Sequence, residues 1–346
     1  MITRLALSRG APAFVLLFLF AWPDYAKSAP VPAASGEDCP AVQPLKDWFL
    51  STGRWADDPQ LYVREIGHGS RTVVMLHGGW GAEHSGLVTA VRGLEDGRRF
   101  VLYDQRGSLR SPAPDASISF DRHIEDLELL RRELGLERMV LVGHSMGAIL
   151  ASAYATKYPA RIERLVLVSP AYLKNPIPEP EKALQHQGYL ETQAFLVRPE
   201  VARELETLRL ARAERPLTSQ EETATYRIGV AARMLADVSK WRQLDGGRGL
   251  FKSHVGALTT KTYPAGGWDY ISEFARTAYP VGIIMGDHDF VDMGAPLNSE
   301  WARSVPRLEL NIIPGAGHLP WIDRPEQFRE ALRHHLDRPE RAAPSQ

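Results

Sequence analysis

Cysteine is almost absent from this chain of 346 residues, because Cys39 is its only one. A single cysteine excludes an intrachain disulfide framework and any zinc site built on several cysteines. An excess of charge is also lacking, since 41 Lys and Arg residues balance 42 Asp and Glu residues. Nucleic-acid-binding domains usually carry a basic excess, so we expect no nucleic-acid partner. What is present is an average share of hydrophobic residues, 44%, as in a globular protein.

Long apolar runs are lacking as well, except at residues 11–22. Arg4 and Arg9 precede this run and small residues follow it at 26–29, which is the pattern of a secretory signal. The run is shorter than the roughly 20 residues that a transmembrane helix needs. We therefore expect residues 1–28 to be a cleaved signal peptide. This predicts a secreted or periplasmic protein without a stable membrane partner after cleavage; the alternative is an uncleaved membrane anchor.

From residue 61 onward, short apolar runs alternate with amphipathic stretches. Strands are predicted at 61–66, 72–77, 100–104, 139–142, 165–168, 281–285 and 308–313. Helices are predicted at 120–134, 146–158 and 325–336. Continuous apolar strands separated by helices indicate a mostly parallel sheet with helices on both faces, which is an α/β fold. In such a fold we expect functional residues at the carboxyl ends of the strands.

The alternation of strands and helices stops between residues 171 and 279. This segment begins with Pro176, Pro178 and Pro180, contains helix-like stretches, and shows no pattern of buried strands. We interpret it as a helical cap inserted over the strand ends. The predicted organisation is a signal peptide (1–28), an N-terminal extension (29–60), the first part of a core (61–170), the cap (171–279), the second part of the core (280–338) and a tail (339–346).

The clearest chemical motif is Gly143-His144-Ser145-Met146-Gly147. A predicted buried strand leads into this motif, and a helix rich in small residues follows it. Such an elbow holds a serine hydroxyl at the edge of the sheet, and its glycines permit the tight turn and close packing. The motif therefore predicts that Ser145 is a nucleophile. The alternative is an ordinary turn whose serine caps the helix.

A serine nucleophile needs a base, and the base needs an acid to orient it. His318 lies in a glycine-rich loop after the last predicted strand, at the same edge of the sheet as Ser145. Three aspartates follow the strand at 281–285, and loop position favours Asp289, with Asp287 as the second choice. The strand at 165–168 is followed by Ser169 rather than by a carboxylate. The predicted catalytic residues are Ser145, Asp289 and His318.

Acyl transfer also needs donors for the developing oxyanion. One expected donor is the backbone N–H of Met146, directly after the nucleophile. The second should come from the loop at residues 77–81 (HGGWG), where glycine lets the backbone approach a substrate. We predict Gly79 as this donor, with Trp80 as the second choice. The alternative interpretation of the loop is a tight turn alone.

The HGGWG loop and residues 103–111 (YDQRGSLRS) together resemble the proline iminopeptidase-like branch of the α/β-hydrolase superfamily. That branch pairs an HGG-P-G loop with a DQRG-x-G-x-S segment. The resemblance covers both parts of the predicted core and implies an α/β-hydrolase fold with a serine triad under a helical cap. Three departures are Trp80 in place of proline, Leu109 in place of glycine, and an elbow without tryptophan.

The resemblance also implies that cap carboxylates hold the free amine of a substrate. Candidates are Glu204, Glu221 and Glu222, but spacing selects none of them, and each is equally compatible with a solvated helix face. The substrate-binding residues therefore stay unassigned. In the DQRG segment, Asp104 and Arg106 are expected to fasten loops together rather than to react.

The predicted function is a serine hydrolase resembling proline iminopeptidases, acting on small-molecule or short-peptide substrates. Acyl transfer by a serine triad requires neither a metal ion nor an organic cofactor, so none is expected. One alternative is a carboxylesterase or C–C bond hydrolase that uses the same triad. Another is a non-catalytic binding protein built on a hydrolase scaffold.

Overall fold

The computed structural model describes residues 46–53, 58–244 and 251–338, without the side chains of 207–214. The chain divides into two units, Met1–Val42 and Gln43–Gln346, and all described residues belong to the second. The predicted signal peptide, most of the predicted N-terminal extension and the predicted tail lie outside the described residues. Within the described ranges, no helix combines the length and the apolar character needed to cross a membrane.

A central sheet of eight strands organises the fold, and a separate pair of two-residue strands lies in the predicted cap segment. In chain order the strands are β1 (Lys46–Ser51), β2 (Gln60–Ile66), β3 (Arg71–Leu76), β4 (Arg98–Tyr103), β5 (Met139–His144), β6 (Ile162–Val168), β7 (Lys174–Asn175), β8 (Trp268–Asp269), β9 (Val281–Gly286) and β10 (Leu308–Ile313). The order across the large sheet is β1-β2-β4-β3-β5-β6-β9-β10. β2 pairs antiparallel with β1 and β4, and every other neighbouring pair is parallel.

Eleven α-helices are present in the described residues. They are α1 (Ser85–Val91), α2 (Phe120–Glu133), α3 (Met146–Lys157), α4 (Glu181–Leu196), α5 (Pro199–Glu214), α6 (Ser219–Met234), α7 (Ser253–Lys261), α8 (Tyr270–Phe274), α9 (Pro296–Ser304), α10 (Pro320–Asp323) and α11 (Pro325–Asp337). Short 3-10 helices cover Asp115–Ser117, Pro159–Arg161 and Val238–Gln243.

The two faces of the sheet build two separate hydrophobic clusters. Along β3, Val74 and Leu76 belong to one cluster, whereas Val73 and Met75 belong to the other. This division follows from the two-residue repeat of a β-strand, which sends alternate side chains to opposite faces. Residues of α2, α3, α8 and α9 cover the first face, and residues of α1, α6, α10 and α11 cover the second. The predicted α/β sheet with helices on both faces is confirmed.

The segment between β6 and β9 is mostly helical. It contains α4 to α8 and the 3-10 helix Val238–Gln243, with β7 and β8 pairing as partly exposed strands. α6 begins at a capping box, in which the Thr218 hydroxyl accepts from the Glu221 N–H and the Glu221 carboxylate accepts from the Thr218 N–H. Such reciprocal bonds satisfy two donors that a helix start would otherwise leave unpaired.

The structure adds a strand that the sequence did not predict. β1 lies inside the predicted N-terminal extension, yet it extends the central sheet as an edge strand. Its three apolar residues, 48–50, are consecutive rather than alternating, and the run is shorter than the roughly four to eight residues typical of a buried strand. On α11, His335 is buried, and its Nε2 lies 2.6 Å from the Asn311 side-chain oxygen. β10 and α11 pack closely enough to enclose this side chain.

Candidate active site

The turn from β5 to α3 places Ser145 in a strained backbone conformation. Its φ is 54° and its ψ is -119°, a region that residues other than glycine seldom adopt. Three backbone hydrogen bonds hold it there: its N–H donates to the Val168 carbonyl oxygen at 3.0 Å, and its own carbonyl oxygen accepts from Ala148 and Ala171. Strain of this kind persists only where surrounding structure determines the conformation. The backbone of Ser145 is therefore held in one position at the edge of the sheet, and its side chain extends from there.

The glycines on both sides of Ser145 are required by close packing of backbone on backbone. A Cβ on Gly143 would lie 2.4 Å from the carbonyl oxygen of Gly147. A Cβ on Gly147 would lie 2.6 Å from the carbonyl oxygens of both Leu76 and His77. The first turn of α3 thus rests directly on the carboxyl ends of β5 and β3. This contact explains the residue pattern from which the elbow was predicted.

Asp289 and His318 form a buried pair at the same edge of the sheet. The His318 Nδ1 lies 2.8 Å from the Asp289 Oδ1, and the two residues are 2% and 0% exposed. The N–H of Val291 donates to the same carboxylate oxygen at 3.0 Å. Burial raises the pKa of Asp289, but the charge and hydrogen bond of His318 outweigh burial and hold the pKa below its ordinary value. An ionised Asp289 accepts the Nδ1–H of His318, which leaves Nε2 available to accept a proton.

His144 joins the elbow to the His318 loop. Its Nε2–H donates to the His318 carbonyl oxygen at 3.1 Å, and the two imidazole rings lie 4.9 Å apart. Burial, followed by the neighbouring His318, lowers the pKa of His144 to about 3, so this ring stays neutral. The hydrogen bonds of the described residues do not include one between the Ser145 hydroxyl and His318. The structure therefore joins Asp289 and His318 by a direct hydrogen bond, and His144 connects the elbow to the His318 loop.

The other aspartates near the predicted acid have different partners. Asp287 accepts from the His288 ring at 2.6 Å and from the Gly315 N–H at 2.8 Å, and its side chain is 33% exposed. Asp292 accepts from the N–H groups of Leu297 and Asn298 at the start of α9. Of the three carboxylates that follow β9, Asp289 is the one that contacts His318.

The glycine loop after β3 lies directly against Ser145. A Cβ on Gly78 would come within 2.7 Å of the Ser145 Cβ. The His77 Nδ1–H donates to the Gly78 carbonyl oxygen at 3.1 Å, while its Nε2 accepts from the Gln105 N–H at 3.1 Å. Burial lowers the pKa of His77, in agreement with a neutral ring that donates once and accepts once. Since a trans peptide directs its N–H away from its carbonyl, the Gly79 N–H points away from His77.

The two remaining candidate donors differ in their surroundings. Met146 is the first residue of α3, so its N–H has no partner within the helix. Trp80, the second choice for the loop, is buried and stacks on His123 with ring centroids 4.9 Å apart. Its indole N–H donates to the Tyr263 hydroxyl at 2.7 Å. The tryptophan that departs from the family pattern thus anchors the loop to Tyr263, in the segment between β6 and β9.

The DQRG segment fastens loops together, as the sequence predicted. Arg106 donates through Nε to the Asp126 carboxylate at 2.9 Å, and both side chains are buried. Asp104 accepts from the backbone N–H groups of His84 and Arg110, each at 3.0 Å. These bonds tie the segment to α2 and to the start of α1.

Three residues in this network have the donor atoms of a metal site. Glu83, His84 and Asp104 each offer one potential ligand atom within 4.8 Å of the others. However, the His84 Nδ1–H already donates to Asp104 at 2.6 Å. The Arg110 guanidinium lies 2.9 Å from the Glu83 carboxylate and 3.6 Å from that of Asp104. Arg110 therefore supplies the positive charge that these carboxylates need, and we interpret the cluster as an ion network.

The carboxylates suggested for binding an amine have other contacts. Glu221 accepts from the Arg215 guanidinium at 2.7 Å in addition to capping α6. Glu204 accepts from the Trp241 indole N–H at 3.0 Å. Glu222 is partly buried near the start of α6. Glu221 and Glu204 are thus both engaged by residues of the segment between β6 and β9.

Two residues at the site were not found from the sequence. The Phe290 ring lies 4.6 Å from the His318 ring, and the Arg233 guanidinium lies 4.9 Å from the centre of the Phe290 ring. Phe290 directly follows Asp289, so its place in the chain was a usable signal. Arg233 belongs to the last turn of α6, and no local pattern links that turn to the loop that follows β9.

Comparison with known proteins agrees with this architecture. Residues 71–325 match the family model described as the alpha/beta hydrolase fold. The chain is 23% identical over 288 residues to a proline iminopeptidase of Heyndrickxia coagulans, which covers 78% of this chain and 91% of that protein. It is 28% identical over 258 residues to the human (Homo sapiens) 1-acylglycerol-3-phosphate O-acyltransferase ABHD5, which covers 69% of this chain and 70% of that protein.

Solved structures show the same fold. A thermophilic esterase from Thermogutta terrifontis superposes with a TM-score of 0.58 at 20% identity, covering 84% of this chain and 98% of that one. The resemblance to the proline iminopeptidase-like branch, predicted from the HGGWG and DQRG segments, is confirmed by the curated relatives. The matched residues run from β3 to the start of α11 and include the elbow and the His318 loop. The chain therefore belongs to the α/β hydrolase fold family.

Proposed function

We propose that this chain is a serine hydrolase that cleaves small carboxylic acid derivatives through an acyl-enzyme intermediate. The observation that carries the proposal is the buried Asp289–His318 pair beside the strained elbow of Ser145. A buried carboxylate that orients a histidine next to an activated serine is the arrangement required for nucleophilic acyl transfer.

The proposed reaction begins when the Ser145 oxygen attacks the substrate carbonyl carbon and its proton passes to the His318 Nε2. Asp289 stabilises the resulting imidazolium through Nδ1. The N–H groups of Gly79 and Met146 stabilise the oxyanion. The leaving group takes the proton from His318 and departs, which leaves the acyl group on Ser145. Water then attacks the acyl-enzyme with His318 as base, the carboxylic acid leaves, and the Ser145 hydroxyl is restored.

For the substrate, the geometry favours carboxylic esters. A substrate with a free amine is cationic near neutral pH and needs a carboxylate partner in the site. Glu221 and Glu204 are engaged elsewhere, by Arg215 and Trp241. The Arg233 guanidinium stacks on the Phe290 ring at 4.9 Å, and the Phe290 ring lies 4.6 Å from the His318 ring. A nearby positive charge disfavours an ammonium group by Coulomb repulsion.

The second candidate is an aminopeptidase that resembles proline iminopeptidase. The DQRG segment and the likeness to proline iminopeptidases favour this activity. Its chemistry would use the same Ser145, His318 and Asp289. It would differ from an esterase only in the contacts that hold the substrate amine.

A substrate panel tests both candidates. We would measure kcat/KM for p-nitrophenyl acetate and butyrate, for prolyl p-nitroanilide, and for its N-acetyl form. An esterase hydrolyses the esters fastest and gains nothing from a free amine. If the free prolyl anilide is the best substrate and N-acetylation lowers kcat/KM by about tenfold or more, the aminopeptidase is correct, because a lost hydrogen bond to a charged group has about that effect.

The matched control for this panel is Ser145→Ala, which removes the nucleophile and keeps the fold. Loss of a triad member lowers kcat by about 10⁴- to 10⁶-fold. If Ser145→Ala kept a tenth of the wild-type turnover, the proposed nucleophile would be wrong. If the wild-type chain hydrolysed no member of the panel and did not react with a fluorophosphonate, the binding-protein alternative would replace the enzyme.

A further inference from the structure

The carboxylate of Asp323 bonds to two separate segments of the chain. Its Oδ2 accepts from the N–H of Gly317 at 2.8 Å and from the N–H of Ala236 at 2.9 Å. Its Oδ1 accepts from the N–H of Asp237 at 3.1 Å. Gly317 directly precedes His318, whereas Ala236 and Asp237 follow the end of α6. One side chain, 1% exposed, therefore connects the His318 loop to the segment that leaves α6.

Further contacts join the same two segments on the other side of His318. The N–H of Leu319 donates to the Met234 carbonyl oxygen at 3.2 Å. A Cβ on Gly317 would lie 2.6 Å from that same oxygen, so the two backbones are in direct contact. The residues before and after His318 are both bonded, directly or through Asp323, to residues 234–237. The backbone of His318 is thus held from both sides.

Apolar packing strengthens this junction. Leu235 and Val238 belong to the same buried cluster as Ala316 and Trp321, which flank the His318 loop.

A buried carboxylate is costly unless it is hydrogen-bonded. Burial indeed raises the pKa of Asp323, against the opposing effect of its three N–H donors. An apolar side chain would leave those donors unpaired, so the carboxylate is needed to join the two segments.

We propose that Asp323 is a positioning residue that fixes the His318 loop against the end of α6 and thereby holds the His318 ring in its reacting position. This inference rests on the proposed serine-hydrolase function. Asp323 does not touch the reacting atoms. It acts through the backbone of Gly317, the residue that directly precedes His318.

The test compares kcat and KM of Asp323→Asn with those of the wild-type chain on p-nitrophenyl butyrate. The amide keeps one acceptor oxygen but presents an NH₂ group to a backbone N–H, so at least one bond is lost. We expect kcat to fall by about 10- to 100-fold, the effect of a small misplacement of a catalytic group. KM should change little, because the substrate contacts are untouched. The rate of labelling by a fluorophosphonate should fall by the same factor as kcat.

Asp323→Glu and Asp126→Asn serve as comparison variants. Asp323→Glu restores the carboxylate and should recover part of the lost kcat. Asp126 is a similarly buried carboxylate, but its bonds go to Arg106. Asp126→Asn should lower the melting temperature and leave kcat near wild type well below that temperature. If both Asn variants lower kcat equally, the effect of Asp323 is general destabilisation and the proposal is wrong.

The remaining outcomes distinguish a failure of the positioning role from a failure of the proposed function. If Asp323→Asn keeps wild-type kcat, the positioning role is refuted while the proposed function stands. If the wild-type chain is not labelled at all, the proposed function itself fails. If Asp323→Asn does not fold, Gly317→Ala replaces it, because its added Cβ pushes the loop away from Met234 and leaves Asp323 intact. Unchanged kcat in Gly317→Ala would then refute the proposal.

Discussion

Replacement of Asp289 by Asn separates the charge of the proposed acid from its hydrogen bonds. Asp289 Oδ1 is the acceptor for two donors, the His318 Nδ1–H and the Val291 N–H. Because both donors need an oxygen at that position, the amide of the variant side chain should place its carbonyl oxygen there and its NH₂ group on the other side. His318 then keeps its tautomer, and the variant loses only the negative charge.

The magnitude follows from the lost attraction between the carboxylate and the imidazolium. Two unit charges about 4 Å apart interact by about 4 kcal/mol at the effective dielectric constant of a protein site. Since 1.36 kcal/mol corresponds to a factor of ten, we expect kcat to fall by about 10³-fold. An acid-to-amide change that also inverts the histidine tautomer lowers kcat by about 10⁴-fold. A loss near 10³-fold indicates that the Val291 N–H keeps the amide oxygen facing His318. A loss near 10⁴-fold indicates that the amide has turned and inverted the histidine tautomer.

Asp287→Asn is the matched control, because Asp287 lies two residues away and also contacts a histidine. Its partner is the partly exposed His288, and an Asn side chain can still accept from the Gly315 N–H. We expect less than a tenfold loss of kcat on p-nitrophenyl butyrate, with both variants measured well below their melting temperatures. If Asp287→Asn loses as much activity as Asp289→Asn, the assignment of the acid is refuted.

Three further predictions concern stability and export. Burial lowers the pKa of His123 and His144 to about 3 and that of His335 to about 4, so unfolding takes up protons below pH 6.5. The free energy of unfolding in urea should therefore fall as pH falls from 6.5 toward 4, and His335→Gln should reduce this slope by about 1.4 kcal/mol per pH unit; an unchanged slope would contradict the burial argument. Gly147→Ala should lower the free energy of unfolding by about 1–3 kcal/mol through overcrowding, and wild-type stability would show that α3 can shift. Expression with residues 1–28 should give an exported, shortened product, whereas full-length protein in the membrane fraction would favour the anchor.

Much of the fold could be predicted because its signals are local. The buried strands of a parallel sheet are continuous apolar runs, and the close contacts of Gly143 and Gly147 require glycine at fixed spacing. The proximity of Asp289 and His318 could be predicted because both follow neighbouring parallel strands, β9 and β10. Their catalytic roles stay predictions.

What the sequence could not provide depends on contacts between distant segments. β1 is an edge strand whose three apolar residues are consecutive, so it shows neither the alternation of a half-buried strand nor the longer run of a buried one. The stacking of Arg233 on Phe290 and the bonds from Asp323 to Ala236 arise only when α6 packs on the core. No periodicity within a single helix or strand encodes such pairs.

The most direct test of the account is to find which residue a fluorophosphonate modifies. The wild-type chain is treated with the probe, and the adduct is located by mass spectrometry of its peptides. The proposed mechanism predicts one adduct per chain, on Ser145, with labelling strongly reduced in His318→Ala. An adduct on a different residue, or no adduct in a folded wild-type chain, would contradict it.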